Sequence, residues 1–452
     1  MEWLGIVNNF VWGPCMLVLL FGTGLYLTVG LRFFTIRNFA RGMRHAWAGR
    51  RQDSAHGEIS PFNALMTALA GDIGTGNIVG VATAIYMGGP GALFWMWMTA
   101  LVGMATKFSE VLLAVHFRER TPAGNWVGGA MYFIKNGLGR RWMWLGSAFA
   151  LFGIVACIGT GAMVQSNAIG AVLKAEFGIP NKLSAAALLL LSGLVLLGGV
   201  KRIAAVAGRI VPVMALCYAA MAFVVIVMHL GEVPGIFAMV LREAFTPTAA
   251  QGGAAGASVM MAIRMGMARG IFSNEAGLGT APMAHAAAST RSPMTQASIG
   301  MLDTFIDTIV VCSLTAFALL LTGRWCNAQE GAAMTSAAFE SVLPGVGGLV
   351  VTICLSLFAF TTAMSWCVYG ERCSIYFFGD RAQFPFRIIY CLAIPVGILI
   401  KLDLVWLLAD TCNALMAIPN LIAILLLSPV LFRLVRKEEA AFRSECDRDR
   451  QA

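Results

Sequence analysis

The chain has 452 residues, of which 58% are hydrophobic and only 12% charged. An average soluble domain carries roughly 25% charged residues to cover its surface, and this chain has far fewer, with a mean hydropathy of +0.77. The composition argues against a water-soluble enzyme, a disordered chain or a nucleic-acid binder, despite a formal net charge of +9, and points to an all-α, polytopic membrane protein, a class in which the many glycines are ordinary.

From the N-terminus, residues 1–13 hold no Lys or Arg. A signal peptide opens on a basic segment, so the first apolar run, 11–30, is expected to remain as a span. Crossing the hydrocarbon core takes ~20 mainly apolar residues. Eleven segments meet that need, at about 11–31, 62–87, 90–116, 142–173, 183–200, 210–230, 257–286, 296–323, 345–370, 386–400 and 404–432. Alternating segments of ~10 residues, the mark of a membrane barrel, are not seen. Eleven spans put the termini on opposite sides. The segments 32–61, 117–141, 201–209, 287–295, 371–385 with Arg387, and 433–452 together carry 24 of the 32 basic residues, and the opposite loops carry four. The basic side is cytoplasmic, so the N-terminus is expected outside and the C-terminus in the cytoplasm, in a cell membrane.

Segment 32–51 mixes six Arg with Phe33, Phe34, Phe39 and Trp47. It reads either as an amphipathic helix lying on the membrane surface or as a solvated loop. The tail 433–452 alternates in charge and reads as a helix end fraying into disorder. The 11 Cys contain no CxxC pair, and Cys157, Cys217, Cys312, Cys354 and Cys391 lie in apolar runs as small hydrophobes, so a disulfide framework is not expected.

Two spans are interrupted. AGDIGTGNIVG (70–80) and FSNEAGLGTAP (272–282) place glycines, amides, hydroxyls and acids at membrane depth. Glycine loosens a helix, and unwound backbone survives there only when it is buried in protein or lines a cavity. Setting aside the first span, the interruptions fall in spans one and six of the remaining ten. That is the pattern of two five-helix repeats, 62–230 and 257–432, the second inverted because five is odd. Residues 1–61 then form the extra helix and surface segment. Broken helices at matching places point to a transport site; glycine that only permits close helix packing is the plainer alternative. GTGNIVG is one residue longer than the dinucleotide fingerprint and lies in an apolar span.

The segments GTGNIVGVATAI, GGPGALFWMWMTALVGMATKFSEVLLAVHFR, ARGIFSNEAGLGTAPMAHAAA and FIDTIVVCSLTAF resemble the alanine or glycine:cation symporter family, collinearly from about residue 10 to 435. The resemblance implies the leucine-transporter fold, with two inverted five-helix repeats and one extra N-terminal helix. It also implies uptake of small neutral amino acids, chiefly alanine and glycine, driven by Na⁺ or in some members by H⁺. Proton coupling, or a broader range including glutamine and serine, is the alternative.

The resemblance extends to a site. Asn77, the backbone carbonyl of Asp72 and the substrate carboxylate are implied at one sodium position, although Asn77 also suits an interhelical hydrogen bond. Asn274, Asp307 and Thr308 could complete that position or pair structurally. Thr361 and Thr362 suit a second sodium position, with carbonyls of Ala70, Ile73 and Phe358 implied beside them. Back-bonding of the threonines to their own helix is the alternative. Thr75 and Gly76 offer N–H groups to a carboxylate where the helix restarts. Carbonyls of Phe272, Ser273 and Asn274 could accept from an ammonium, and Gly277 and Gly279 would leave room for substrate. Trp366 and Gln165 are implied as pocket side chains. Glu275, an acid at membrane depth, could pair with Arg269, stabilise unwound backbone or carry a proton. Asp72 stands where the family is often uncharged; it could pair with Arg264 or Arg269 or favour proton coupling. Lys107 and Glu110, three apart on one helix face, are expected to pair.

Two rivals remain. An embedded enzyme would need clustered catalytic groups. Of His45, His56, His116, His229 and His285, only His285 is near a motif, and no metalloprotease or Ser–Lys pattern occurs. A passive channel would not need paired broken helices bearing cation ligands. Expected partners are therefore a small amino acid and the lipid bilayer; the oligomeric state is not legible.

Overall fold

The computed structural model describes residues 2–50, 57–245, 259–326, 331–400 and 403–451. The expected start of the second repeat at 257, together with Arg51, His56 and Lys401, lies outside the described residues. The chain is a helical membrane protein. The sheet among the described residues is one short antiparallel hairpin, Glu119–Arg120 with Trp126–Val127. Among the described residues six helical stretches are long and apolar enough to span: Gly91–His116, Arg140–Phe177, Gly199–Met228, Pro293–Leu321, Gly347–Leu399 and Leu407–Ala440. A seventh is the pair Pro61–Asp72 and Gly76–Gly88, bent by 49° at its break. The first and fifth expected spans are shorter apolar helices, Pro14–Gly30 and Asn181–Leu196. The ninth and tenth lie in Gly347–Leu399, separated by a turn at Gly379–Ala382.

Local chemistry explains where these helices begin. Ser60 caps Pro61–Asp72 by accepting from the Asn63 N–H at 3.1 Å, and Ser292 caps Pro293–Thr304 by accepting from Thr295 N–H at 3.2 Å. Both helices open on proline, whose missing N–H is no loss at that position. The Gly91–His116 helix runs through the centre with most of its residues buried. Large side chains such as Leu190, Leu194, Leu216 and Phe223 are exposed on the periphery, where lipid replaces water as solvent.

Two expectations need revision, and one open alternative is decided. Segment 201–209 is no loop: it forms the start of the Gly199–Met228 helix, because Val200, Ile203, Ala204 and Ala207 continue a buried stripe while Lys201, Arg202 and Arg209 stay exposed. The tail does not fray at 433. The last helix runs from Asp403 to Gln451, docked by Arg37 on Glu439 at 3.1 Å and by Ser292 on Glu438 at 2.9 Å. The basic segment contains a helix, Phe39–Ala48, with Gly42 tight against the Ser298 carbonyl and Trp47 exposed beneath the Arg50 guanidinium at 3.4 Å. An exposed Trp among arginines suits the headgroup layer.

The two interrupted helices are joined at one end, the entry of the first to the exit of the second. Glu58 N–H donates to the Ala287 carbonyl at 2.8 Å, Ser289 N–H to the Ile59 carbonyl at 2.7 Å, and Ile59 forms a parallel bridge with Ala288. Arg118 reinforces the same turn by donating to the carbonyls of Ala286, Ala288 and Thr290 at 2.7–3.0 Å.

Candidate functional site

The first break follows Asp72. Ile73 turns extended, with ψ of 92°, and the helix resumes at Gly76. Asn77 Oδ1 reaches back to accept the freed Gly74 N–H at 2.9 Å. Glycine is required here by proximity: a Cβ on Gly74 would stand 2.5 Å from Thr362 Oγ1, and one on Gly76 3.1 Å from Ser273 Cα.

The second break follows Asn274. Gly277 and Gly279 have φ of +95° and +79°, a region closed to most side chains. Glu275 adopts φ +52°, which costs roughly 1–2 kcal/mol for an L-residue. Its carboxylate holds the strained turn in place, accepting from Trp366 Nε1 at 2.8 Å and from the Thr280 hydroxyl. The freed N–H groups of Gly277 and Gly279 both donate to Glu110 Oε1 at 3.1 Å, and Asn420 Nδ2 donates to the same oxygen. Helix Pro282–Ala286 then restarts on its proline.

These contacts redraw the expected charge pairing. Lys107 does not pair with Glu110. Its ammonium lies between Asp72 Oδ2 at 3.2 Å and Asp303 Oδ2 at 3.3 Å, with all three side chains fully buried. Glu110 is saturated on one oxygen by the second break instead. Asp72 therefore pairs with neither Arg264 nor Arg269, and Glu275 does not pair with Arg269. Arg264 is exposed, and Arg269 sits 5.9 Å over the Phe272 ring. His285 bonds Gln296 at 2.7 Å.

Two groups of oxygens surround the first break. Thr362 Oγ1 lies 3.3 Å from the Ile73 carbonyl and 2.9 Å from that of Phe358, and Thr361 Oγ1 is 2.9 Å from the Phe358 carbonyl. Ala70 is buried about one turn before Ile73. In the second group Asp307 is the hub. Its Oδ1 accepts from Asn77 Nδ2 at 2.6 Å and Ser273 Oγ at 3.0 Å, and its Oδ2 accepts from Thr308 Oγ1 at 2.7 Å. Asn274 Nδ2 donates to Thr308 Oγ1 at 3.0 Å. Carbonyl, hydroxyl and carboxylate oxygens are the ligands hard cations take. The structure thus brings Ile73, Phe358, Thr361 and Thr362 into one group, and Asn77, Ser273, Asn274, Asp307 and Thr308 into another.

Between the breaks lies a cavity of about 20 Å³, room for roughly one water. Its walls include Asp72, Thr75, Gly76, Gln165, Phe272 and Trp366. Ser273 and Gly277 are not in the lining. Ser273 is turned to Asp307, and Gly277 is wedged against Leu20 and Leu421, where a Cβ would come within 2.6 and 3.3 Å. Gly279, likewise, packs on Phe149 and Asn420. Those glycines therefore make room for protein packing and not for substrate. Thr160, Leu278 and Asn413 are further wall residues, with Asn413 Nδ2 donating to Thr160 Oγ1 at 3.0 Å. Asn413 had a visible signal, an amide in an apolar run, the same one that marked Gln165. Asp303 had none beyond being an acid in a span.

Residues 1–451 match the sequence profile described as the sodium:alanine symporter family. A relative named sodium/alanine symporter AgcS, from Methanococcus maripaludis, is 44% identical over 446 residues, covering 96% of this chain and 97% of that one. An uncharacterized transporter of Haemophilus influenzae is 48% identical over 431 residues, covering 95% and 94% of the two chains. The crystal structure of MhsT in complex with L-phenylalanine superposes with a TM-score of 0.56 at 15% identity, covering 86% of this chain and 99% of that one. At that identity the likeness is one of fold, and it places the chain among transporters of the leucine-transporter fold.

Proposed function

This chain belongs to the sodium:alanine symporter family, whose members are secondary transporters and not enzymes, and from that premise we propose that it couples inward Na⁺ flux to uptake of alanine and glycine by alternating access. The observation that carries the reading is the facing of two broken helices across one small, polar-lined cavity. Thr75 and Gly76 N–H groups would hold the substrate carboxylate, with the positive end of the restarting helix behind them. Gln165, Phe272 and Trp366 bound the space left for a side chain, which favours small substrates. One Na⁺ would enter among Asn77, the Asp72 carbonyl, Asn274, Asp307 and Thr308. A second would sit among Thr361, Thr362 and the carbonyls of Ala70, Ile73 and Phe358.

In this reading the chain has eleven spans in two inverted repeats, 62–230 and 257–432, with the N-terminus outside and the C-terminus cytoplasmic. Rocking of one helix group against the other would expose the cavity to each side in turn. A second reading, proton coupling, is favoured by one observation. Five carboxyls, Asp72, Glu110, Glu275, Asp303 and Asp307, are buried, and among the described residues only Asp72 and Asp303 meet the buried ammonium of Lys107.

Labelled alanine and glycine uptake into proteoliposomes, with imposed Na⁺ or pH gradients and a competitor panel that includes glutamine and serine, tests both. Concentrative uptake that collapses with the Na⁺ gradient is the expected result. Uptake indifferent to both gradients would overturn the proposal.

A further inference from the structure

A cavity of about 470 Å³ opens where the Glu119–Arg120 and Trp126–Val127 hairpin meets the end of helix Gly347–Phe378. Its volume falls within the ~300–1,000 Å³ of ordinary ligand pockets. It shares no wall residue with the small cavity between the two breaks, and in the proposed topology it lies on the cytoplasmic side. We infer that this cavity binds a phosphate group, carried by an acidic phospholipid or free in solution. The inference goes beyond the symport reading and does not depend on it.

The ligand class follows from which polar groups of the wall are already used. Its two acids are spent on protein donors. Glu119 accepts from Lys135 Nζ at 2.8 and 3.1 Å and from Asn136 Nδ2 at 2.8 Å. Asp380 accepts from Thr121 Oγ1, Asn125 Nδ2, Gln383 Nε2 and the Ala123 N–H at 2.8–3.1 Å. The donors are not spent. Arg120 is exposed, makes no ion pair among the described residues, and reaches only the Gly124 carbonyl, at 3.4 Å. The Tyr376 hydroxyl is buried with no partner. Tyr132 is only 4% exposed, and neither its hydroxyl nor that of Ser147 has a partner among the described residues. The two tyrosine rings meet edge to face at 5.5 Å, and a Cβ on Gly146, next to Ser147, would stand 3.2 Å from the Tyr376 hydroxyl. Satisfied acids beside an unsatisfied guanidinium and three hydroxyls call for an anion rich in acceptors. These donors come from several elements around one space, which suits a tetrahedral group better than a planar carboxylate. Charge-assisted bonds from Arg to phosphate are among the strong ones.

The surroundings bring such a group within reach. Met143 and Phe377 line the cavity, and their neighbours Trp144 and Phe378 are 64% and 70% exposed. Arg140 and Arg141, just before Met143, are exposed as well. Exposed aromatics beside arginines mark the headgroup layer, where phospholipid phosphates lie. Occupancy also has a mechanical meaning. Arg120 belongs to the hairpin, which is fastened to the joined ends of the interrupted helices. Trp126 N–H donates to Glu58 Oε1 at 2.6 Å, and Arg118 donates to the carbonyls of Ala286, Ala288 and Thr290. Tyr376 belongs to the long helix that bears Thr361 and Thr362. A phosphate held by both braces the joined ends against that helix.

The test is microscale thermophoresis of the full-length protein in an uncharged detergent. It is titrated with dihexanoylphosphatidylglycerol, with dihexanoylglycerol, which lacks the phosphate, and with inorganic phosphate. The phospholipid should bind at least about tenfold more tightly than dihexanoylglycerol. Arg120→Gln, and the pair Tyr132→Phe with Tyr376→Phe, should each weaken its binding about tenfold. The two phenylalanines delete only oxygens that bond nothing in the protein, so the melting temperature without ligand should not fall, which reports correct folding. Arg44→Gln, a charge removed from the basic surface segment, should change binding less than about twofold. Inorganic phosphate that displaces the phospholipid supports the site with a soluble source, and phosphate without effect supports it with a lipid source. Equal affinity for the two lipids, equal losses in Arg44→Gln and Arg120→Gln, or a folded phenylalanine pair that binds like the wild type overturns the site.

Discussion

Replacing Lys107 by Met should destabilise the protein far more than replacing either of its partners. In the structure one ammonium serves Asp72 at 3.2 Å and Asp303 at 3.3 Å, with no exposure of any of the three side chains. At an effective dielectric of ~20, each contact is worth roughly 5 kcal/mol of gross attraction. Most of that offsets desolvation, and mutual repulsion of the carboxylates subtracts more. The net quantity is what removal leaves behind. Lys107→Met strands two carboxylates with no cation, and breaking a buried pair this way costs roughly 3–5 kcal/mol. Asp303→Asn leaves a balanced pair, Lys107 with Asp72, and removes the repulsion, so its cost should be about 1 kcal/mol or less. The double variant should show a coupling of at least about 1 kcal/mol. Reversible unfolding of the purified protein in mixed SDS micelles measures all three. A Lys107→Met variant within about 0.5 kcal/mol of wild type, or an Asp303→Asn variant that costs as much as it does, would refute the reasoning.

Glu110→Ala should cost at least about 3 kcal/mol, because it leaves the Gly277 and Gly279 N–H groups without an acceptor and takes one of two acceptors from the Asn420 amide, which keeps the Gly277 carbonyl; Glu110→Gln keeps an oxygen there and should recover most of the loss in the same unfolding assay. Thr362→Val should raise the Na⁺ concentration for half-maximal uptake roughly tenfold, while alanine KM at saturating Na⁺ stays within about twofold; an unchanged Na⁺ dependence would remove Thr362 from the cation site. At Glu340, on the loop side of helix Gly331–Val342, N–H donation from Gly348 and Gly345 holds the carboxyl below its usual range. The folded-state value being the lower one, the loop's bonds should be fully formed above the ordinary Glu range and lost as pH falls through the depressed value. Amide exchange at Gly345 and Gly348 followed from pH 7 to pH 3 should speed up beyond the intrinsic pH trend; Glu340→Gln should abolish that excess.

The parts of this molecule that were legible in its sequence are those decided locally. Gly74, Gly277, Gly279 and Pro282 announce breaks because a helix in lipid rarely carries such residues together. Gln165 and Asn77 stand out for the same reason, as amides in apolar runs. Charge partners were not legible, because they depend on which helices become neighbours. Lys107 and Glu110 share a face, yet Asp72 and Asp303 from two other helices meet the lysine while the second break claims the glutamate. Glycine was ambiguous in the same way. Gly277 is needed for φ +95° and for packing on Leu421, whereas the sequence alone suggested open space. The Gly199–Met228 helix begins early because burial of one stripe outweighs the three charges on its other side, a balance that a window average of hydropathy conceals.

The short parallel bridge between Ile59 and Ala288, with Arg118 hooked over the adjoining carbonyls, has a bearing on how force passes through the molecule. It stitches the entry of one interrupted helix to the exit of the other. A displacement at either break is therefore felt at the far one through a few hydrogen bonds, without passing through the cavity. In the proposed alternating-access cycle these bonds would act as a shear pin: while they hold, the two interrupted helices would tilt in unison, and once parted each would be free to swing alone. The threshold at which they part would set how far the mouth on that side opens on each cycle.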